Sequence, residues 1–462
     1  MRSLVNSLRA RYALSITLGA LGAIIFNSKG ALGDRAETYM KQIVKKTTLD
    51  NGITILTDYM PHAYSVAVGV WVPRGSRHES KDEFGLSHFY EHLVFKGTEK
   101  RSALEIARAI EDKGGNLEAY TTRQETGFYA QIERSHLPLA IDVIADMLMH
   151  PRMDKKEMEK ERRVIIEEIH SYDDIPEEIV GDVFNAIHFK GCGIAHSITG
   201  NIKQVKALTH KQMLKYKEQV INEIPLLICA SGKVNHEELV ALCAEKFTEK
   251  KVNGTTPTDI YKASNSVKVV QKQDIAQSNL FWGLSFDRSL MDERARCALS
   301  LFNVAMGAGM ASRLFQKIRE DKGLAYSVYS TADVYLDCTD WGVSLATEPH
   351  QLNTALELSL NEIRSFLKRG FNKGEYERTK TNILGAMYLG ADSPEKRVVR
   401  MAEQVLHLGE FHTMEQSEKL IQSMPEDEVV DITNRLFAAA KFSAAVIEPA
   451  SKKKTQIPVH FF

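Results

Sequence analysis

The sequence predicts an α+β protein of two similar α/β-sandwich domains, each a mixed, mainly antiparallel sheet packed with helices. The 462-residue chain is too long for one ordinary core, since single cores stop growing at about 250–300 residues. Short β-branched segments alternate with long amphipathic ones, which indicates both strands and helices. A weak repeat at an offset of about 200 residues is too long for a solenoid and indicates two related domains.

The elements of the first half can be predicted in order along the chain. Strands are predicted where apolar, β-branched and aromatic residues cluster between turn residues. Helices are predicted where apolar residues recur at helical spacing. The predicted strands cover residues 52–58, 65–72 and 116–132, and the predicted helices cover 104–112, 137–149 and 155–171.

The repeat is clearest in one acidic helical segment. Glu157 and Glu159 recur in the second half as Glu375 and Glu377, each time after a helical stretch. At the same offset Glu168 meets an alanine, and the second half has no His-x-x-Glu-His sequence. If the repeat is real, only its first copy retains metal ligands.

The segment from residue 1 to residue 33 has the composition of a targeting segment. It carries three arginines and no acid, and residues 13–26 are mainly apolar. This pattern fits export or membrane anchoring in a bacterium, with a mitochondrial matrix or cytoplasmic location as the alternatives. The predicted division is 1–40 for the targeting or anchor segment, 45–248 for the first domain, 249–266 for a linker, 267–450 for the second domain and 451–462 for a tail.

Charge and cysteine content argue against several classes of protein. The chain has 59 basic and 60 acidic residues, so no overall positive field would attract nucleic acid. Its five cysteines are scattered without a Cys-x-x-Cys pair, which favours neither a disulfide framework nor a thiolate zinc cluster. Beyond the leader no stretch has the ~18 consecutive apolar residues of a spanning helix, which excludes a polytopic membrane protein.

The sequence His-Phe-Tyr-Glu-His at residues 88–92 has the pattern of a metal site on a helix. His88 and His92 are four residues apart, so on a helix they share a face and could bind one ion. Glu91 could accept a proton from a water molecule activated by zinc. A helix is predicted to start after Gly85 with Ser87 as its cap. Such a pentapeptide also arises by chance in long helices.

A catalytic zinc site needs a third protein ligand, and the acidic helix at 155–171 offers candidates. Glu161 and Glu168 are seven residues apart and share a face, whereas Glu167 points about 100° away. Glu168 can therefore be a ligand, with Glu161 beside it. A solvated acidic face paired with nearby basic residues is the plain alternative.

The motif and the length of the interval between His92 and Glu168 resemble the pitrilysin and mitochondrial processing peptidase family, the inverzincins. The likeness runs from about residue 46 to 448. One departure is Glu118, where the family usually has Asn, and this departure puts fine substrate contacts in doubt. Further similar segments are residues 75–79, residues 95–98, and the double glycine at 114–115 that leads to Ala119, Tyr120 and Thr121.

The resemblance implies a zinc metallopeptidase with one Zn²⁺ per chain. It also implies that a peptide or unfolded protein substrate adds as a strand to an exposed sheet edge. The implied zinc ligands are His88, His92 and Glu168, and the implied catalytic base is Glu91. Glu161 is implied to support a ligand. The implied edge strand contains Ala119, Tyr120 and Thr121.

Arg319 and Tyr326 in the second half resemble the family's Arg/Tyr pair, which holds the substrate backbone and the tetrahedral intermediate. We call these two residues the clamp pair. The family's closed chamber needs four domains, and this chain has two. The resemblance therefore implies a homodimer in which the clamp pair of one chain reaches the zinc of the other. A heterodimer with an inactive relative is the alternative.

The expected function is zinc-dependent endopeptidase action on unfolded or extended peptides, either in leader-sequence processing or in oligopeptide degradation. A noncatalytic structural subunit, like the core proteins of respiratory complexes that share this fold, is the rival. The presence of His88, Glu91, His92 and Glu168 argues against that rival. A metal site that only stabilises the fold would leave Glu91 unexplained.

Overall fold

The computed structural model describes residues 42–248, 250, 260–451 and 455–457. The predicted segment 1–40 and much of the predicted linker and tail lie outside these residues. Each half of the described chain forms one mixed sheet packed with helices, which confirms the predicted fold class. Within the described ranges, no helix combines the length and apolar character needed to cross a bilayer.

The first half contributes a six-stranded sheet. Its strands are β1 (Ile43–Thr48), β2 (Thr54–Tyr59), β3 (Ser65–Val72), β4 (Asn116–Thr121), β5 (Thr126–Glu133) and β6 (Leu227–Gly232). They lie in the order β1-β2-β6-β3-β5-β4, and β2 with β6 is the parallel pair. Strand β4 is therefore at an edge, with β5 as its neighbour.

The second half contributes a five-stranded sheet. Its strands are β7 (Ser266–Lys272), β8 (Ser278–Asp287), β9 (Ala325–Val334), β10 (Cys338–Thr347) and β11 (Lys441–Pro449). Their order is β7-β11-β8-β10-β9, and β7 with β11 is the parallel pair. Each sheet thus has one parallel pair in an otherwise antiparallel arrangement, as expected for two related domains.

Helices cover both sheets, and the three predicted in the first half are present as α2, α3 and α4. The helices are α1 (Leu86–Val94), α2 (Ala103–Glu111), α3 (Leu137–Met149), α4 (Lys155–Asp173), α5 (Pro176–His188), α6 (Ile202–Ala207), α7 (His210–Asn222), α8 (His236–Lys246), α9 (Glu293–Met306), α10 (Leu352–Arg369), α11 (Glu375–Ala391), α12 (Pro394–Leu408), α13 (Met414–Ser423) and α14 (Glu426–Ala439). A π-helix spans Phe315–Glu320.

The two halves exchange one helix each. Helix α5 packs on the second sheet, where Phe184 lies among residues such as Ala445 and Ile447. Helix α12 packs on the first sheet, where Met401 lies in one cluster with Trp71. Pro176 and Pro394 open these helices. The interval between the two prolines equals the interval between Glu157 and Glu375 of the sequence repeat. The exchanged helices are therefore equivalent elements of the repeat.

The exchange explains why strand β3 is apolar along almost its whole length. Val66, Val68 and Val70 face the core of the first half, whereas Ala67 and Trp71 face the cluster that α12 completes. A strand covered on both faces needs apolar residues at successive positions. Each half thus buries one face of its sheet with a helix from the other half.

Ion pairs, each with one almost fully buried member, also join the two halves. Arg77 donates two hydrogen bonds of 3.0 Å to the carboxylate of Asp337. Arg397 on α12 pairs with Asp58 on β2 at 3.0 Å. Because Arg77 and Asp58 are almost fully buried, the loss of Asp337 or Arg397 would leave a buried charge without compensation. These pairs hold the halves in a defined orientation.

Candidate metal centre

Helices α1 and α4 bring together three of the predicted site residues. The Nε2 atoms of His88 and His92 lie 3.7 and 3.6 Å from Oε2 of Glu168. The ligand atoms of all three residues lie within 4.8 Å of one another. Two imidazoles and one carboxylate are a donor set of catalytic zinc sites, which keep the fourth position open.

The hydrogen bonds of His92 fit this donor set. Its Nδ1 atom lies 3.2 Å from Oε2 of Glu161, and because an ionised carboxylate only accepts, Nδ1 carries the proton. The Nε2 lone pair then points towards Glu168. That Nε2 atom is buried and has no hydrogen-bond partner in the described part of the chain. A buried acceptor without a donor is costly, and a metal ion would satisfy it.

Burial and neighbouring charges set the protonation of the cluster. Burial lowers the pKa of His88 to about 4, which leaves a neutral imidazole, the form that binds a metal. Burial raises the pKa of Glu168, and the neighbouring His92 acts in the opposite direction. Burial also acts to raise the pKa of Glu161, but hydrogen bonds with His92 and Lys96 outweigh it and lower the pKa.

Helix α1 begins directly after Gly85, as predicted, but its cap differs from the prediction. The prediction that Ser87 caps it is wrong, because the N-cap residue is Gly85 and no side chain within the helix caps it. The carboxylate of Glu79 instead accepts the backbone N–H groups of Gly85 at 2.7 Å and Ser87 at 2.6 Å. Gly85 has a φ of +88°, and a Cβ atom there would lie 2.4 Å from the carbonyl oxygen of Thr199. A buried upstream carboxylate thus fixes the helix that carries His88.

Glu91 is held by the edge strand of the first sheet. The hydroxyl of Thr121, the last residue of β4, donates a 2.6 Å hydrogen bond to Oε2 of Glu91. Both side chains are buried. Glu91 lies beside the three-residue cluster and is not one of its members. The arrangement therefore keeps one carboxylate next to the candidate ligands and outside the candidate donor set.

The other residues of the predicted edge strand lie on different faces. Side chains alternate along a strand, so Ala119 shares the face of Thr121. Tyr120 points the other way, and its hydroxyl accepts a 3.0 Å hydrogen bond from the indole of Trp71. Glu118 shares the face of Tyr120 and accepts a 2.7 Å hydrogen bond from Tyr129. The departure at Glu118 therefore lies on the face that points away from the metal ligands.

The clamp pair lies together at the start of edge strand β9. Arg319, in the π-helix, places its guanidinium 4.7 Å from the ring centre of Tyr326 and 4.7 Å from that of Phe315. Tyr326 is 78% exposed. Among the described residues, neither member of the pair makes a hydrogen bond or an ion pair with the metal cluster of its own chain. Single π-helical turns occur often at functional sites.

Two residues that support the cluster, Lys96 and Glu79, lie in segments that the sequence singled out only by their resemblance, and neither was given a role. Lys96 pairs with Glu161 at 3.0 Å and holds the carboxylate that binds His92. Its position four residues after His92 was a usable signal, because residues at this spacing lie on one side of a helix end. No helical spacing relates Glu79 to the motif, since Glu79 contacts helix α1 only through the fold of the preceding loop.

Comparisons with known proteins give matches along most of this chain. The sequence model of the insulinase family, peptidase family M16, matches residues 54–201, and that of the peptidase M16 inactive domain matches residues 207–383. An uncharacterized zinc protease of Mycobacterium tuberculosis is 32% identical over 416 residues, which are 89% of this chain and 94% of the relative. An uncharacterized zinc protease of Bacillus subtilis is 31% identical over 410 residues, 88% of this chain and 99% of the relative.

Solved structures share the fold. A protease from Helicobacter pylori has a TM-score of 0.83 and 18% identity, covering 88% of this chain and all of that one. A peptidase M16 inactive domain from Pseudomonas fluorescens has a TM-score of 0.80 and 16% identity, covering 89% of this chain and all of that one. Because two family models match and both zinc protease relatives align along most of its length, this chain belongs to the M16, or insulinase, family of peptidases.

Proposed function

We propose that this chain is a zinc-dependent endopeptidase that cleaves unfolded or extended peptides, in leader processing or in oligopeptide degradation. The observation that carries the proposal is the convergence of His88, His92 and Glu168 within 4.8 Å beside Glu91. The relatives that are named zinc proteases support both the metal and the reaction class.

His88, His92 and Glu168 hold one Zn²⁺ per chain in this proposal. When bound, the ion supplies Lewis-acid polarisation of the scissile carbonyl and of the attacking water. Glu91 takes a proton from that water and passes it to the leaving amine. The Thr121 hydroxyl donates to Oε2 of Glu91 and so orients the carboxylate that takes the proton. A site that only stabilised the fold would not require this buried carboxylate.

The substrate adds as a strand to the free edge of β4. Main-chain hydrogen bonds to a sheet edge hold an extended peptide of almost any sequence, and side-chain pockets then set the preference. Ala119 and Thr121 face the metal ligands, whereas Tyr120 contributes its main chain because its ring is buried on the opposite face. A folded protein has no free extended segment to offer, so it is a poor substrate.

The clamp pair acts in trans in a homodimer. Arg319 and Tyr326 are stacked on each other, and Tyr326 is largely exposed, so the pair is available to another chain. A guanidinium and a phenol can donate hydrogen bonds to a substrate carbonyl and to the negative oxygen that develops in the transition state. A heterodimer with an inactive relative is the alternative arrangement.

An internally quenched peptide library blocked at both ends tests endopeptidase action. The zinc-loaded chain is expected to cleave it at internal bonds, because strand addition does not require a free terminus. Mass spectrometry of the products locates the cuts. A small protein offered in its native and its reduced, unfolded forms is the matched substrate pair, and the unfolded form alone should be cut. Cleavage of unblocked peptides only from an end would contradict the proposal.

Mixed dimers test the action of the clamp pair in trans. A Glu91→Gln chain and an Arg319→Ala chain, carrying different tags, are co-expressed and isolated as a dimer by successive affinity steps. If the clamp pair acts in trans, one site of the mixed dimer combines Glu91 of the Arg319→Ala chain with Arg319 of the Glu91→Gln chain and is intact. The other site lacks both residues. About half of the wild-type activity is therefore expected from this two-fold arrangement. Each homodimer of the variants should be nearly inactive. Equally low activity of the mixed dimer, or a fully active monomer, would contradict action in trans.

A further inference from the structure

The turn at residues 122–125 joins edge strand β4 to β5 and is closed by its own hydrogen bonds. The N–H of Thr122 donates to the carbonyl of Glu125 at 2.8 Å, and the hydroxyl oxygen of Thr122 accepts the N–H groups of Gln124 at 3.0 Å and Glu125 at 3.1 Å. The turn directly follows Thr121, which binds Glu91. A displacement of this turn would therefore move Thr121.

The second half of the same chain holds this turn through the side chains of Glu125 and Gln124. Oε2 of Glu125 lies 2.8 Å from Nε2 of His407 on the exchanged helix α12. Oε1 of Gln124 accepts the backbone N–H of Leu336, which follows β9, at 2.7 Å. Glu125 is almost fully buried, so its carboxylate depends on His407 to balance its charge.

The surroundings of His407 favour its charged form. Burial acts to lower its pKa, but the charge and hydrogen bond of Glu125, and the carboxylates of Glu403 and Asp333, raise it. His407 also lies at the C-terminal end of α12, where the helix dipole favours a cation. The guanidinium of Arg288 fixes this helix end by donating to the carbonyls of His407 and Leu408.

We propose that His407 is a positioning residue for the active site of its own chain. Through Glu125 and the turn at 122–125, it fixes the end of β4 and with it the hydrogen bond from Thr121 to Glu91. The second half then serves two sites: it holds the edge strand in cis and supplies the clamp pair in trans. This inference rests on the proposed peptidase function.

The chain contains a matched control for this ion pair. Arg397 lies on the same helix and forms a buried pair of 3.0 Å with Asp58, whose side chain is 1% exposed. Asp58 is on β2, however, which is four strands from β4 in the sheet, or roughly 19 Å at the usual strand spacing. Both pairs join α12 to the first half, but of the two pairs only that of His407 contacts the turn beside Thr121.

The test compares His407→Leu with Arg397→Leu in the zinc-loaded full chain. Both variants should lower the denaturation midpoint, because each leaves a buried carboxylate without its cation. His407→Leu alone should reduce kcat by roughly tenfold or more, since small misplacements of catalytic groups are costly. It should change KM by less than about threefold and leave the zinc content unchanged. It should also speed amide hydrogen exchange at residues 116–126, which Arg397→Leu should not.

Two further variants complete the design. In the double variant His407→Leu with Glu125→Gln, kcat should fall no further than in either single variant. Both changes remove the same ion pair, so their effects should not add. His407→Gln replaces the leucine variant if the latter fails to fold. Equal losses of kcat in the His407 and Arg397 variants, or unchanged exchange at 116–126, would overturn the inference. If the wild-type chain cleaves no peptide, the proposed function fails, and the exchange experiment still decides whether His407 holds β4.

Discussion

Replacing Glu91 by Gln is expected to lower kcat by about 10²–10⁴-fold, the usual contribution of a general base, while the chain retains its zinc. The carboxamide has nearly the same shape and can still accept the hydrogen bond from Thr121. It cannot take a proton from water at neutral pH. Steady-state cleavage of a quenched peptide, with zinc measured on the same samples by mass spectrometry, gives both quantities.

In the Glu91→Gln variant, the loss of catalysis should be separable from any loss of metal binding. Glu91 lies outside the group of three ligand atoms, so its replacement should leave the donor set intact. Glu245→Gln, an identical substitution at an exposed position on α8, is the control and should have wild-type kinetics. Unchanged turnover in Glu91→Gln would refute the assignment of the base. Loss of zinc together with turnover would instead make Glu91 a ligand.

The part of the site that the sequence predicts is the part that helix geometry determines. His88 and His92 are four residues apart on α1, and Glu161 and Glu168 are seven apart on α4. On an α-helix these spacings place each pair on one face whatever the rest of the chain does. Helix geometry does not show that the two helix faces contact each other. That contact was predicted from the resemblance to a known family, through the interval between His92 and Glu168.

The parts that the sequence did not predict depend on contacts between distant segments. The cap of α1 comes from Glu79 through a loop, and a local rule therefore chose Ser87 instead. The tie between Thr121 and Glu91 depends on how β4 packs against α1, which no periodicity encodes.

The exchange of α5 and α12 between the two halves could not be predicted from the sequence either. The apolar run of β3 shows that both faces of the strand are covered, but it does not show which helix covers them. Helical spacing in the 176–188 and 394–408 segments is the same whichever sheet they pack on. Only the assembled core determines that each helix buries its apolar face on the other half.

The second large effect concerns Glu168, the proposed third metal ligand. Glu168→Gln is expected to leave the purified chain with little zinc, because a neutral carboxamide is a much poorer zinc ligand than a carboxylate. Glu167→Gln is the matched control: this residue is the neighbour of Glu168 on α4 but is exposed. It should retain wild-type zinc content. Zinc per chain is measured after dialysis against a chelator of known affinity.

An intermediate variant makes the zinc experiment more discriminating. Glu161 binds Nδ1 of His92 and makes no contact with the proposed ion, so Glu161→Gln should weaken zinc binding by about 10–100-fold without abolishing it. Added zinc should raise the melting temperature of the wild type, raise that of Glu161→Gln at higher concentrations, and leave that of Glu168→Gln unchanged.

Loss of zinc from Glu167→Gln, together with retention of zinc in Glu168→Gln, would make Glu167 the third ligand in place of Glu168. It would also require α4 to turn by about 100° relative to α1, because that angle separates adjacent residues on a helix. Such a turn would expose Ile165 and Ile169, which are buried on the face that Glu161 and Glu168 share.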